Sequence, residues 1–259
     1  MIQKKVNTGE DREKSWYEHL HRRKAPFLKA GDASINPAGT VRAMEIHKEI
    51  LAAFPGLSVA EGDVGPLSIQ EKSPPLEALK DEIVCSVRER YTLEQVKDEP
   101  LFRAYRDFFW RVGVDPTRTR PASEALVRRI LAKKMLPTIN TAVDAYNLAS
   151  IRTGIPIAAF DADTLGGELS MRFAEEGEEF LGIGMARPAV LHKNQVILTD
   201  DDEIVAVYPY RDSDATKITL ATTMVHIVAC GVPKVEREKV HSAYELAVAY
   251  LREYASGTR

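Results

Sequence analysis

The chain has 259 residues, enough for one large domain with a full hydrophobic core or for two small ones. Hydrophobic residues make up 44% of it and charged residues 28%, which is typical of a folded protein and excludes the disordered and fibrous classes. The net charge of −3 gives no overall attraction to nucleic acids or acidic membranes, so a nucleic-acid surface has to be a local patch.

Targeting and membrane segments are absent from the sequence pattern. Residues 1–24 contain no apolar stretch of the signal-peptide kind, and no part of the chain reaches the roughly 18 consecutive apolar residues of a membrane span. Cys85 and Cys230 are far apart and lack metal-binding spacing, which indicates two buried, reduced thiols. The sequence therefore predicts a cytoplasmic protein without a membrane partner.

The first half of the chain is predicted to be helical. Residues 1–40 are polar and rich in both charge signs, which indicates a helical arm that precedes a single domain over residues 41–259. Apolar periodicity predicts helices over residues 40–55, 75–96, 100–114, 120–136 and 137–154. In the last of these, Asn140 or Thr141 is expected to cap the N-terminus, and Gly154 to end the helix in the left-handed conformation. The aromatic residues of 100–114 are interpreted as core.

The pattern changes from helical to alternating after residue 154. Residues 168–173 alternate apolar and polar side chains, as a half-buried strand does. Residues 195–199 and 204–210 flank the acidic turn 200–203 and predict a β-hairpin. Residues 239–255 predict a closing amphipathic helix. The order of elements indicates an α+β fold with a mixed or antiparallel sheet and flanking helices.

Signatures of metal and nucleotide chemistry are missing. The chain has no phosphate-binding loop and no nucleophile elbow, and the glycines near residue 183 do not fit a dinucleotide fingerprint. The histidines lack paired metal spacing apart from His19 and His21, which are interpreted as solvated surface residues of the N-terminal arm. His226 lies in an apolar segment and is interpreted as a core histidine with satisfied hydrogen bonds. The sequence thus predicts neither a cofactor nor a metal ion.

One segment carries a local excess of positive charge. Residues 103–134 contain nine basic and three acidic residues. The excess fits either solvated helix faces with internal ion pairs or a patch for phosphate groups, to which arginine donates paired hydrogen bonds. For the second alternative, the candidate RNA contacts are Arg106, Arg118, Arg128, Arg129, Lys133 and Lys134. DNA is not an expected partner.

Several motifs resemble a known family. The segment "NTAVDAYNLASIRTGIPIAAFDADTLGG" (140–167) and the following "MRFAEEGEEF" (171–180) resemble the B3/B4 domain of the phenylalanyl-tRNA synthetase β subunit. The segments "AYRDFF", "GVDPTRTRPASEALVRR", "LPTINTAVDAYNL" and "YRDSDATKIT" are closer still to free-standing B3/B4 proteins. The resemblance covers residues 55–230 and implies a B3/B4-like fold, which in the synthetase houses the site that hydrolyses mischarged tRNA. The aminoacylation domain has no counterpart, so synthetase activity is not implied.

Two departures from the family pattern concern the editing pocket. Ala158 stands where the family has a histidine, and Val228 stands near the position of the pocket glutamate. Neither side chain can orient water or hydrogen-bond a substrate hydroxyl. We therefore expect the stretch 154–161 to be a buried loop that lines a cavity with apolar groups.

Three functions remain open at this stage. The first is an RNA- or tRNA-associated binding protein with a non-catalytic pocket, the second a hydrolase that edits a mischarged aminoacyl-tRNA, and the third a pocket for a small ligand such as an amino acid. The candidate pocket residues are polar or aromatic positions of the matching motifs: Arg120, Ser123, Glu124, Asp144, Asn147, Phe160, Asp161, Arg211, Asp212 and Thr219.

Overall fold

Helices dominate the first half of the computed structural model, which describes residues 44–256, and strands dominate the second half. These residues all fall within one unit, Ser34–Arg259. The α-helices are α1 (Lys48–Ala53), α2 (Pro74–Arg90), α3 (Pro100–Arg111), α4 (Ala122–Leu131), α5 (Thr141–Thr153) and α6 (Arg237–Tyr254). The strands are β1 (Glu45–Ile46), β2 (Val59–Val64), β3 (Ile157–Asp161), β4 (Ser170–Phe173), β5 (Glu179–Phe180), β6 (Ala189–Val190), β7 (Val196–Thr199), β8 (Ile204–Val207), β9 (Arg211–Asp212) and β10 (Val225–Cys230).

The strands form three sheets. The small sheet has the order β2-β10-β3 and is antiparallel throughout, and every residue of its central strand β10 is buried. A five-stranded sheet has the order β1-β4-β7-β8-β9, and it is mixed because β1 runs parallel to β4. Strands β5 and β6 pair as a separate ribbon. The α+β architecture with mixed and antiparallel sheets is confirmed.

Helix α5 is the central helix of the core. Asn140 caps it by accepting a hydrogen bond from the backbone N–H of Val143 at 2.9 Å, and Gly154 ends it with a φ of 74°. Both features confirm the sequence prediction. Each residue from Thr141 to Ile151 is buried except Asn147. The helix packs against α6, which in turn covers β2 and β10.

The aromatic residues of α3 are core residues, as predicted. Tyr105, Phe108 and Phe109 are almost fully buried, and the Tyr105 hydroxyl donates a 2.7 Å hydrogen bond to the carbonyl of Cys230. Phe108 packs edge-on against Tyr208. Helix α3 is therefore fixed to the end of β10 by a buried hydrogen bond and to the residue after β8 by a ring contact.

Two predicted elements differ from the structure. The helix predicted over 40–55 is confined to Lys48–Ala53, because Glu45 and Ile46 pair with β4 instead. The stretch 154–161 is not a loop throughout, since Ile157–Asp161 forms the fully buried strand β3. A continuous apolar run is typical of a strand whose two faces are both covered. The predicted arm, residues 1–40, lies outside the described residues, and the division at residue 40 stays a prediction.

Within the described part of the chain, no helix is long and apolar enough to cross a membrane. The two cysteines are both free thiols. Cys230 is buried as predicted, whereas the prediction of burial is wrong for Cys85, which lies on the exposed side of α2.

Candidate functional site

A cavity of about 130 Å³ lies where α5, the small sheet and the five-stranded sheet meet. Its walls are mostly aliphatic and aromatic, with a few polar groups. The lining residues are Ala122, Tyr146, Asn147, Ile157, Ala158, Leu198, Ala206, Val207, Tyr208, Pro209, Tyr210, Asp212 and Cys230. An apolar cleft with a few convergent polar groups is the usual form of a ligand site.

The polar groups of the cavity come from different elements of the fold. Helix α5 contributes Asn147, the one residue between Thr141 and Ile151 that is not buried. The strand end of β10 contributes Cys230, and the short strand β9 contributes Asp212. Residues 147 and 212 are remote in sequence, so only the fold brings them to one cavity.

Asp212 is the acidic group of the cavity. Burial raises its pKa to about 7, against the opposing effects of a hydrogen bond from the backbone N–H of Ala159 and of the neighbouring Arg211 charge. Arg211 itself is exposed and donates to the carbonyl of Ile183 at 2.9 Å. A carboxyl group that titrates near neutral pH inside a cleft is a common property of functional sites.

Tyr146 and Cys230 lie within the electrostatic reach of this carboxylate. Burial raises the pKa of the Tyr146 hydroxyl, and the negative charges of Asp212 and Asp144 raise it further. Burial likewise raises the pKa of the Cys230 thiol, with a further contribution from Asp212. Both groups are therefore neutral at physiological pH, and Cys230 is not an activated nucleophile.

The two positions that depart from the family pattern are neighbours. Ala158 on β3 pairs in register with Val228 on β10, and Ala158 lines the cavity. Val228 is fully buried. Because register partners in a sheet present their side chains on the same face, these two residues form one apolar patch.

Of the ten predicted pocket residues, Asn147 and Asp212 line the cavity. Phe160 is fully buried in the core. Asp161 accepts a 2.6 Å hydrogen bond from the Thr222 hydroxyl, and Asp144 pairs with Lys80 at 3.0 Å. These two carboxylates are thus bonded to protein groups on the core side of the fold.

The other predicted pocket residues lie away from the cavity wall. Arg120 and Thr219 are exposed, as is Arg211. Ser123 and Glu124 are fully buried next to the lining residue Ala122, and the Ser123 hydroxyl and Glu124 Oε2 have no hydrogen-bond partner among the residues described. The binding roles assigned to these residues stay predictions.

The basic segment combines internal ion pairs with exposed cations. Arg106 and Arg128 both bind Oε1 of the buried Glu124, at 3.1 and 2.7 Å. The remaining candidates are exposed: Arg118, Arg129, Lys133 and Lys134. Half-buried arginines that neutralise a buried carboxylate support the fold. Of the exposed candidates, Arg118 lies 3.7 Å from Asp115 and Arg129 donates to the carbonyl of Met135, and the phosphate contacts stay a prediction.

A second titratable cluster lies on the small sheet. The His226 ring contacts Asp63 at 2.7 Å through Nδ1 and Glu61 at 3.3 Å through Nε2. Burial alone would lower the pKa of His226, but hydrogen bonds to Asp63 and Glu61 outweigh it and raise the pKa. The prediction of a satisfied core histidine is confirmed. Across residues 44–256, no group of three or more histidine, cysteine or acidic side chains is arranged to hold a metal ion.

Sequence reasoning did not single out most of the aromatic and aliphatic wall. Tyr146 precedes Asn147 in one family motif and Tyr210 begins another, but neither is among the predicted pocket residues, and Tyr208 and Cys230 lie outside the motifs. The dipeptide Tyr208–Pro209, which is cis, sits between β8 and β9 and belongs to the wall. A proline flanked by two tyrosines is the feature of the sequence that could have indicated it.

Comparisons with known proteins agree with the resemblance in the sequence. The model of the B3/4 domain family matches residues 104–256. The phenylalanine–tRNA ligase β subunit of Corynebacterium jeikeium is 27% identical over 223 residues, which are 86% of this chain and 22% of that protein. The corresponding subunit of Cutibacterium acnes is 25% identical over 137 residues, 53% of this chain and 16% of that protein.

A solved structure is also similar, an N-terminal fragment of the phenylalanyl-tRNA synthetase β subunit from Pyrococcus horikoshii. It matches with a TM-score of 0.48 and 13% identity over 82% of this chain and 48% of the fragment. The chain spans less than a quarter of the length of the two curated relatives. The family model covers more than half of the chain, and the chain belongs to the B3/4 domain family.

Proposed function

We propose that this protein binds tRNA and receives the aminoacyl end of the tRNA in its cavity without hydrolysing the ester. The observation that carries the proposal is that Ala158 lines the cavity and pairs in register with the buried Val228, at positions where the family resemblance expects histidine and glutamate. An apolar wall excludes water and lacks a donor for an oxyanion, so it can hold an ester but does not activate its attack. We further propose that the protein acts in the cytoplasm, together with its tRNA.

The nucleic-acid part of the proposal rests on two supports. The curated relatives are phenylalanine–tRNA ligase subunits, whose name states that they act on tRNA. In addition, Arg118, Arg129, Lys133 and Lys134 are exposed within a chain of net negative charge. Clustered exposed cations bind phosphates with little sequence preference, which suits the backbone of a tRNA.

A binding measurement at several salt concentrations tests this part. The logarithm of the affinity for unfractionated tRNA should fall linearly with the logarithm of salt concentration. Replacing Lys133 and Lys134 by alanine should weaken binding and reduce the salt slope by about 1 to 2. The matched control is the double variant Lys193→Ala and Lys217→Ala, which removes the same charge from exposed sites outside the segment. Absence of tRNA binding at low salt contradicts the proposal.

One observation favours a second candidate function, hydrolysis of an aminoacyl-tRNA. Asp212 has a pKa near 7 and lies in the cavity wall, as a general base for water would. A panel of mischarged tRNAs incubated with the purified protein separates the two functions. Release of free amino acid that disappears in Asp212→Asn supports the hydrolase, whereas release at the uncatalysed rate supports the binding protein.

A further inference from the structure

We propose that the cavity selects a small aminoacyl group that carries a free, protonated amine, and that Asp212 is the residue that determines this specificity. The inference rests on the proposed function, since it names the chemical class of the ligand that the same cavity receives. It excludes large aromatic aminoacyl groups.

The size limit follows from the cavity volume of about 130 Å³. A protein cavity of about 150 Å³ holds one benzene molecule, which sets the capacity here at about six non-hydrogen atoms. An alanyl, glycyl or seryl group is of that size. A tyrosyl group has about twice as many non-hydrogen atoms and would require the walls to move.

The part of the cavity wall formed by Tyr208 cannot move easily. The Tyr208 hydroxyl donates a 2.5 Å hydrogen bond to the carbonyl of Gly231, and its ring packs against Phe108. Gly231 itself is in close contact with Ser58, since a Cβ built on it would lie 2.5 Å from the Ser58 carbonyl oxygen. The aromatic wall is therefore tied to both β10 and α3, which makes enlargement of the cavity costly.

The charge preference follows from the isolation of Asp212. Among the described residues that line the cavity, it is the only acidic one, and no basic residue lines the cavity. Arg211, its neighbour in sequence, is exposed and donates to the carbonyl of Ile183. The carboxylate accepts a hydrogen bond from the backbone N–H of Ala159 but forms no ion pair within residues 44–256.

An ammonium group on the ligand would supply the missing partner. Asp212 is half-buried, and a partly desolvated carboxylate without a counter-ion is costly. A charged hydrogen bond from a ligand amine lowers that cost on binding. The neighbouring Tyr146 hydroxyl and Cys230 thiol are neutral and cannot neutralise it. The geometry thus favours a cationic ligand group over an anionic or a neutral one at this wall.

The test uses hydrolysis-resistant analogues of the tRNA end, in which an acyl group is linked by an amide to 3′-amino-3′-deoxyadenosine. The alanyl and propionyl analogues differ in the amine, and the tyrosyl analogue tests size. Calorimetric titration at about neutral pH should show the alanyl analogue binding at least about tenfold more tightly than the propionyl analogue, with no measurable binding of the tyrosyl one. Asp212→Asn should remove the preference for the amine, and Asp212→Glu should retain part of it. Asp214→Asn, which alters a half-buried acid outside the cavity lining, should leave the preference intact.

The outcomes distinguish this inference from the proposed function. Equal binding of the alanyl and propionyl analogues, tight binding of the tyrosyl analogue, or an amine preference that survives in Asp212→Asn overturns the inference. Binding of none of the analogues overturns it as well. If tRNA still binds in a parallel assay in these cases, the proposed function of tRNA binding stands. Amine selection without tRNA binding supports the inference and contradicts the proposed function. Should Asp212→Asn fail to fold, the comparison of analogues on the natural chain decides.

Discussion

Ala158 and Val228 lie opposite each other on the neighbouring strands β3 and β10, with their Cα atoms in register. One of them lines the cavity and the other is fully buried. Together they replace, by resemblance, the two polar positions of an editing pocket with a methyl group and an isopropyl group. The consequence for catalysis can be measured directly.

We expect no hydrolysis of tyrosyl-tRNA(Phe) above the uncatalysed rate. The apolar pair cannot donate to a developing oxyanion, a loss that is worth about 3 kcal/mol of barrier for a single donor. The cavity of about 130 Å³ is also smaller than the roughly 150 Å³ that holds one benzene molecule, which disfavours entry of a tyrosyl side chain. The measurement is release of tyrosine from purified, mischarged tRNA. Rapid release of tyrosine that is abolished by Asn147→Ala or Asp161→Ala would contradict this prediction and make hydrolysis the leading function.

The stability of the α5 terminus provides a second prediction. Gly154 has a φ of 74°, and a Cβ at this position would lie 2.6 Å from Cδ2 of Leu101. Gly154→Ala should therefore lower the free energy of unfolding by about 2 kcal/mol, from backbone strain plus displacement of Leu101. Gly113→Ala is the matched control, because Gly113 has a φ of 77° but nothing within 4 Å of the added Cβ. The control should lose about 1 kcal/mol in urea unfolding. Equal losses for the two variants would remove the role assigned to Leu101.

Features that depend on local sequence were predictable. The cap at Asn140 and the stop at Gly154 involve groups within a few residues of each other, and their geometry is fixed by the first and last turns of one helix. The hairpin of β7 and β8 is local for the same reason, since its strands flank a short acidic turn. In these cases the residues that determine the local geometry are close together in the sequence, so the sequence pattern alone predicts it.

Features that depend on distant pairing were not predictable from composition or periodicity. Strand β3 is apolar at every position, so no alternation reveals it, and its partner β10 lies more than sixty residues further along. Glu45 and Ile46 fit a helical pattern but pair with β4. Asn147 and Asp212 line the same cavity only because both sheets are in place. The motifs indicated that these segments belong to one site, and the fold decides which side chains reach it.

The buried histidine gives a pH-dependent prediction. Since hydrogen bonds to Asp63 and Glu61 raise the pKa of His226 above 6.5, its protonated form contributes stability that is fully present below about pH 6.5 and is lost as the pH rises through the folded-state pKa. His226→Gln should cost about 3 kcal/mol at pH 6 and less at pH 9, because the two largely covered carboxylates of Glu61 and Asp63 lose their cation. The measurement is urea unfolding across this range. His192→Gln, at a histidine whose ion pair with Glu176 is exposed to solvent, should change the pH dependence far less. A loss for His226→Gln that is the same at every pH contradicts the assignment.

At neutral pH the ionised form of Asp212 destabilises the fold, whereas the protonated form of His226 stabilises it. Its pKa is raised to about 7 from 3.8, so the folded state holds a proton that the unfolded state releases, and stability falls as the pH rises between these two values. Asp212→Asn removes this penalty. The variant should be about 2 kcal/mol more stable than the natural chain at pH 8 and nearly equal to it at pH 4, whereas Asp214→Asn should show no such difference. Thermal or urea unfolding at the two pH values provides the measurement. If Asp212→Asn stabilises the fold but abolishes amine selection, the carboxylate contributes to binding at the expense of stability, as residues of functional sites often do.

If Asp212→Asn is instead less stable at pH 8, the carboxylate has a stabilising partner within the protein. It is then a structural group, and the missing counter-ion on which its binding role depends does not exist.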